Sequence, residues 1–278
     1  MSRNPRGFGD AGWLREAFLA TPREHFVPDR VWWPASGADG LCSLIDRTVR
    51  PRAWLKAVYM PGAPLITQLD DGRVAPTGPA GGTFTSSISS SGVVVELLRH
   101  LDPRSGDRVL EVGTGTGYTT ALLAARAGAE NVVSVEIDPD IAGRAARSLA
   151  ALGIRPHVVI GDGETGYADG GPYDRIVATA SVRRIPRAWL EQLAPGGVLV
   201  VPLDSPFACD LLAHLVGDGT GRATGGFVAR VTFMRVRSQR EPRPYTELGW
   251  PPRVDPTDWT GLRLEAGPAG QRIHHPAE

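Results

Sequence analysis

Cysteine, lysine and long apolar runs are what this 278-residue sequence has least of. Its two cysteines, Cys42 and Cys209, lie far apart with no C-x-x-C partner, which argues against a disulfide framework or a cysteine-based zinc site. No apolar stretch reaches the ~20 residues needed to cross a bilayer. The opening Met1-Ser2-Arg3-Asn4-Pro5-Arg6-Gly7 leads into Gly and Asp, so a signal peptide is not expected, and a cytoplasmic location with no membrane partner is. There is no excess of either charge: 30 acidic and 30 basic side chains cancel, and the electrostatic footprint of a nucleic-acid binder is missing. Lys56 is the only lysine, a bias that fits GC-rich coding and carries no functional weight. His25, His100 and His157 show no metal-ligand spacing, so no metal is expected, and His274-His275 read as solvated. Gly-x-Ser-x-Gly is absent, which counts against an α/β-hydrolase. What is present, 42% hydrophobic and 22% charged residues, is the balance of a globular protein with one generous domain or a core with additions.

Trp13, Leu14, Ala17 and Phe18 recur at helical spacing, and Thr21-Pro22 ends that run. From Val27 to Gly82 the chain is rich in Pro, Gly and Trp with few convincing periods; Arg52–Tyr59 is a short helix or strand. Trp32, Trp33 and Trp54 there are either packing residues or a platform for a peptide. Beyond Asp107 the pattern sharpens. Strands are expected over 107–112, 131–137, 156–160, 173–180 and 197–202, and helices over 118–127, 138–151 and 186–193. Strands alternating with helices imply a largely parallel, doubly wound α/β sheet. Cys209–Val216 and Gly226–Arg237, joined by Gly217-Asp218-Gly219-Thr220-Gly221, read as an antiparallel edge hairpin. In its second arm Phe227, Ala229, Val231 and Phe233 should share one buried face. The proline-rich stretch from 239 to 278 reads as a tail that wraps the surface or is disordered.

The strongest chemical signal is Val109-Leu110-Glu111-Val112-Gly113-Thr114-Gly115-Thr116-Gly117-Tyr118, which follows a strand and opens a helix. The dinucleotide fingerprint wants its third glycine where Tyr118 stands, which speaks against a dehydrogenase. The spacing instead resembles motif I of S-adenosylmethionine (SAM)-dependent methyltransferases, and a purely structural turn is the alternative. Glu136 ends the next strand 23 residues after Gly113, where two carboxylate oxygens can take both hydroxyls of a ribose; a solvated strand-end acid is the alternative. Asp162, within Gly161-Asp162-Gly163, can accept from an adenine amino group or be a plain Asp-Gly turn. All three stand at the carboxyl ends of adjacent strands, where open α/β sheets bind ligands. Thr85-Ser86-Ser87-Ile88-Ser89-Ser90-Ser91-Gly92, ahead of the helical run 93–101, is a further candidate for chemistry, with a flexible serine linker and helix cap as the alternative.

Several stretches together resemble the protein-L-isoaspartate O-methyltransferases: Arg23-Glu24-His25-Phe26-Val27-Pro28, the run from Gly106 to Tyr118, Gly161-Asp162-Gly163, Tyr173–Ala180, and Leu193-Ala194-Pro195-Gly196-Gly197. The resemblance covers roughly residues 10–35 and 83–237. It implies a Rossmann-like class I SAM methyltransferase with a mostly parallel sheet and an antiparallel edge hairpin. It also implies SAM as cofactor and S-adenosylhomocysteine as product. On this resemblance 1–82 is an N-terminal helix and an irregular substrate-side region, 83–238 the SAM-binding core and 239–278 a tail. The cofactor side would be built from Glu111, Gly113, Thr114, Gly115, Gly117 and Tyr118, then Glu136, Ile137, Asp162 and Gly163. Counting back from Gly106 places Ser89 on the family's active-site serine, in its Thr-Ile-Ser-Gln-Pro motif. Ser87, Ile88, Thr179, Ala180 and Ser181 would then line the acceptor side.

Ser90 and Ser91 stand where the family has Gln-Pro, and tens of extra residues separate Pro28 from Thr83. Arg52–Tyr59, Pro64–Gly72 and Thr85-Ser86-Ser87 are similar to a divergent branch that accompanies ribosomally made modified peptides and methylates an aspartate, whose ester closes to an aspartimide. The leading expectation is therefore aspartate O-methylation in such a peptide. Repair of isoaspartyl residues in proteins is second, and a non-catalytic SAM- and peptide-binding module third.

Overall fold

The computed structural model describes residues 11–36 and 40–276. Nine strands form the main sheet, starting with β5 (Val109–Val112), which is followed by helix α4 (Tyr118–Ala127), β6 (Val132–Glu136), α5 (Pro139–Ala151) and β7 (His157–Ile160). Next come β8 (Tyr173–Ala178), α6 (Arg187–Gln192), β9 (Leu193–Asp204), β10 (Asp210–Gly217), β11 (Ala223–Val231), β12 (Arg263–Gly267) and β13 (Gly270–His274). The spatial order is β13-β12-β11-β10-β9-β8-β5-β6-β7. The five strands from β9 to β7 run parallel, and every pairing from β9 to β13 is antiparallel. This is the expected doubly wound core.

Burial explains why the core strands read as apolar runs rather than alternations. In β5, Val109 faces one core with α4 and α3 (Ser91–Leu101), while Leu110 and Val112 face another with α6, so all four residues are buried. Helix α5 begins where Asp138 caps it, accepting from Asp140 N at 3.0 Å and Ile141 N at 3.1 Å, with Pro139 in the first turn. The chain leaves β5 toward β6 on one side and returns to β8 on the other. A crevice opens at the carboxyl ends of those strands, the switch point at which such sheets bind ligands.

Three expectations are corrected. The stretch 27–82 is not irregular: β1 (Arg30–Ser36), β2 (Cys42–Asp46), β3 (Leu65–Leu69) and β4 (Phe84–Ile88) form an antiparallel sheet in the order β2-β1-β3-β4. Both its faces are covered. Val31 and Leu65 join the large core beside helix α1 (Gly12–Ala20), whereas Trp32 and Ile66 pack with Cys42 and Leu69, so no period of two survives in the sequence. Arg52–Tyr59 resolves as helix α2 (Pro51–Val58), with Trp54, Ala57 and Val58 buried on one face. Trp32 and Trp54 are packing residues, each almost fully buried.

In the hairpin, Phe227 does not share a face with Ala229 and Val231. Leu212 pairs with Ala229 but Ala213 pairs with Phe227, leaving Val228 as a bulge that turns Phe227 to the opposite core. The chain from 239 to 276 is ordered. It adds β12 and β13 to the sheet, buries Leu262, Leu264, Ala266 and Ile273, and lays Trp250 on Phe227 with ring centroids 5.7 Å apart.

Candidate active site

The cleft at the switch point encloses about 900 Å³ of free space, its open mouth included. Its floor is the turn between β5 and α4. Gly113 has φ +96°, and a β-carbon there would lie 2.5 Å from Thr179 Oγ1, so only glycine lets the loop run against the end of β8. At Gly115 a β-carbon would project toward the carbonyl of Ser87, 3.7 Å away, across the gap a ligand would occupy. Thr179 N donates to Val112 O at 2.9 Å, and its hydroxyl donates to the carbonyl of Gly113, tying the two strand ends together.

Glu136 closes the cofactor side. Its Oε2 accepts from Gly115 N at 2.9 Å and its Oε1 from Asp138 N at 3.1 Å, which leaves each oxygen a further lone pair for a ligand. Burial pushes its pKa up, and these two backbone donors oppose the shift. Ile137, Asp162 and Gly163 line the same wall, and Asp162 Oδ1 accepts from Glu164 N at 3.0 Å. An acid with spare acceptor sites beside a glycine-floored gap suits a ribose and a methionine tail, so these residues fit SAM.

Opposite stands the end of β4. Ser87, Ile88 and Ser89 line the cleft with Thr179 and Ala180. Ser89 lies between β4 and α3, and its carbonyl accepts from Arg23 Nη2 at 2.7 Å. Ser90 caps α3 through its backbone conformation alone, without a side-chain hydrogen bond.

Three expected site residues are placed elsewhere. Glu111 does not line the cleft; it is 0% exposed beneath the glycine turn, where Ser134 donates to its Oε2 at 2.7 Å together with the Thr120 hydroxyl. Burial pushes its pKa up to about 7 against those two donors. Gly117 packs on α5, where a β-carbon would lie 3.3 Å from Ala145 Cβ. Ser181 is fully buried and bridges by backbone to the next segment, with its N to Met234 O at 2.8 Å and Val236 N to its own carbonyl at 3.0 Å. Tyr118 does reach the lining but is held in an aromatic cluster by Phe18 and Phe26.

That bridge brings in the residues the sequence reading missed. Met234, Arg235, Val236, Arg237 and Arg240 form the remaining wall. Arg237 reaches Asp71 and Asp138, both at 3.0 Å, and Gln68 Nε2 donates to Asp138 at 2.9 Å. Arg240 and Asp71 form a two-pronged pair that holds the Asp71 carboxyl below its usual range. The small sheet and the segment after β11 are thereby fastened together over the cleft. Three arginines within six residues were the available signal, but such a run reads as a solvated surface. Among the described residues no group of three His, Cys, Asp or Glu side chains is placed to hold a metal, and no helix is long and apolar enough to cross a membrane.

A mixed sheet with this strand order and a glycine turn at its switch point is the fold of class I SAM-dependent methyltransferases. Two solved structures share it. A protein-L-isoaspartate O-methyltransferase aligns with TM-score 0.61 and 21% identity over 98% of this chain and 85% of its own. A Plasmodium falciparum β-aspartate methyltransferase bound to S-adenosyl-L-homocysteine aligns with TM-score 0.60 and 17% identity over 84% and 94%.

Residues 74–241 match the family model of protein-L-isoaspartate(D-aspartate) O-methyltransferase (PCMT), and the chain belongs to that family. The corresponding protein of Methanoculleus marisnigri is 49% identical over 171 residues, covering 61% of this chain and 72% of that one. The one from Ignicoccus hospitalis is 42% identical over 132 residues, covering 47% of this chain but only 63% of its own length. Membership defines a SAM-dependent carboxyl methyltransferase.

Proposed function

We propose that the protein methylates the free α-carboxylate of isoaspartyl residues in proteins, the reading ranked second from the sequence. The observation that carries it is the meeting of two sides in one cleft: the glycine turn with Glu136, and the strand end Ser87–Ser89. Both lie within a chain of the PCMT family. SAM supplies the electrophilic methyl group. The acceptor α-carboxyl, with an ordinary pKa of about 3.5, is already ionised at neutral pH, so no general base is required of the protein. What the chain contributes is position. Glu136 holds the ribose, Asp162 takes the adenine amino group, and the backbone at Gly113–Gly115 leaves room for the methionine part. Ser89 orients the acceptor carboxylate by hydrogen bonding, with Ser87, Ile88, Thr179 and Ala180 around it. Residues before 83 serve as the substrate-side cover, and the segment 234–240 keeps water from the reacting atoms. The ester then needs no further enzyme group: the next residue's backbone nitrogen attacks it, methanol leaves, and a succinimide forms.

A second reading, methylation of an ordinary aspartate in a ribosomally made peptide, is supported by Ser90 and Ser91 in place of Gln-Pro. The small sheet, most of which precedes the matched residues 74–241, supports it too. Mass spectrometry of matched isoaspartyl and aspartyl peptides incubated with enzyme and SAM separates the two. Methylation of the isoaspartyl peptide alone supports repair. Methylation of the aspartyl peptide, or of neither while SAM binds, overturns it.

A further inference from the structure

Arg23 is only 3% exposed, yet among the described residues no carboxylate pairs with it. Its Nε donates to Val58 O at 3.0 Å and its Nη2 to Ser89 O at 2.7 Å, while Nη1 has no partner. The guanidinium carbon sits 5.2 Å from the ring centre of Tyr118. Neighbouring Glu24 is engaged elsewhere, by the Tyr59 hydroxyl. Two of the groups Arg23 touches, Ser89 and Tyr118, line the cleft, so a buried cation with no carboxylate partner among the described residues, in contact with the Tyr118 side chain, lies one contact behind the acceptor wall. Such a charge is costly to bury and is hard to explain as packing alone, since an apolar side chain would fill the space without the desolvation penalty.

We propose that Arg23 is a positioning residue for the acceptor side: it pins the Ser89 carbonyl, and its charge strengthens binding of the acceptor carboxylate while weakening the hold on a sulfonium relative to a thioether. Methyl transfer forms a C–O bond as the S–C bond breaks, so an anion and a sulfonium become a neutral ester and a neutral thioether. A fixed cation nearby therefore acts on the charged reactants and not on the neutral products. Through water the effect would be screened by salt, but across a buried contact it is not. The planar fork reaches two carbonyls at once, which an ammonium on a flexible stem does not.

The acceptor half of this proposal rests on the function proposed above; the cofactor half does not, and the test uses both. The full chain and its R23K and R23M variants are compared by calorimetry with SAM and with S-adenosylhomocysteine, and by initial rates with an isoaspartyl peptide. R23M should lower the ratio of the SAM Kd to the S-adenosylhomocysteine Kd by about three- to tenfold, and R23K should leave it unchanged. In R23M the peptide KM should rise by about fivefold or more, at about 0.5 M salt as well as at low salt. In both variants kcat should fall by about tenfold as the fork is lost. Loss of affinity for both cofactor forms together, with an unchanged ratio and rates that track thermal stability, would reduce Arg23 to a structural bolt and overturn the proposal. Should R23M not fold, R23K decides: a lower kcat at constant KM and constant ratio supports the assignment, and an unchanged kcat overturns it. A shifted ratio in an enzyme that leaves the peptide unmethylated would refute the acceptor reading and keep the charge assignment.

Discussion

Arg240 grips Asp71 with two parallel bonds, Nη1 to Oδ2 at 2.6 Å and Nη2 to Oδ1 at 2.9 Å, across 169 residues of chain. The pair joins the turn after β3 to the segment after β11, and Arg237 adds a third contact to the same carboxylate. Both side chains are partly exposed, so the clasp contributes little to global stability, and its consequence is local: it holds two walls of the cleft together.

Asp71→Asn should therefore leave the fold intact and speed release of S-adenosylhomocysteine by about three- to tenfold, as expected for the loss of about 1 kcal/mol of bidentate pairing. Stopped-flow dissociation measures it. Because the Asp71 pKa is lowered by Arg240, the clasp should persist below the usual carboxylate range and open only as pH falls through that lowered value. A release rate unchanged by the substitution would show that the clasp does not control access.

Glu136→Ala should weaken SAM binding by about ten- to a hundredfold, the cost of losing charge-assisted hydrogen bonds to a ligand, with the circular dichroism spectrum unchanged. Glu136→Gln, which keeps one acceptor oxygen, should fall between. Wild-type affinity for the alanine variant in calorimetry would remove the ribose assignment.

Ser89→Ala should slow methyl transfer by about tenfold or more while SAM affinity stays within about twofold, since the hydroxyl is assigned to the acceptor. Single-turnover rates separate the two effects. An unaltered rate would return the serine run to the role of a link between β4 and α3.

Glu111 titrates with a raised pKa of about 7 because it is buried without a cation. The folded state thus holds a proton that the unfolded chain releases near pH 4.5, so stability should fall as pH rises from about 4.5 to about 7 and then level off. Glu111→Gln keeps an acceptor for Thr120 and Ser134 without the charge. It should flatten that slope and be more stable at pH 8, by up to about 3 kcal/mol. Urea denaturation at several pH values tests this, and parallel slopes for the two proteins would refute it.

Much of the core was legible because its constraints are local. The spacing of Gly113, Gly115 and Gly117 marks a turn whose positive φ angles favour glycine, and Asp138-Pro139 announces the start of α5. Glu136 and Asp162 could be placed because the one ends and the other follows a short apolar strand, and both do line the cleft. Glu111 was misplaced for a reason equally physical. Alternation along β5 points it toward α4, and only the packed helix and the neighbouring strand β6 show that its partners are Thr120 and Ser134 rather than a ligand.

By itself, then, the sequence determined the βα order of residues 107–202, the glycine turn, and the acid at the carboxyl end of each of the next two strands, since these are written in backbone dihedral preferences and short hydrophobic periods. Tertiary structure alone decided the rest. The small sheet buries both faces and so loses its period, the bulge at Val228 reverses a face within one strand, and β12 and β13 find a sheet edge far away in sequence. The contacts of Arg23 with Ser89 and of Asp71 with Arg240 span 66 and 169 residues. Charges and carbonyls so far apart carry no local signature, because what brings them together is the closure of the whole fold around the cleft.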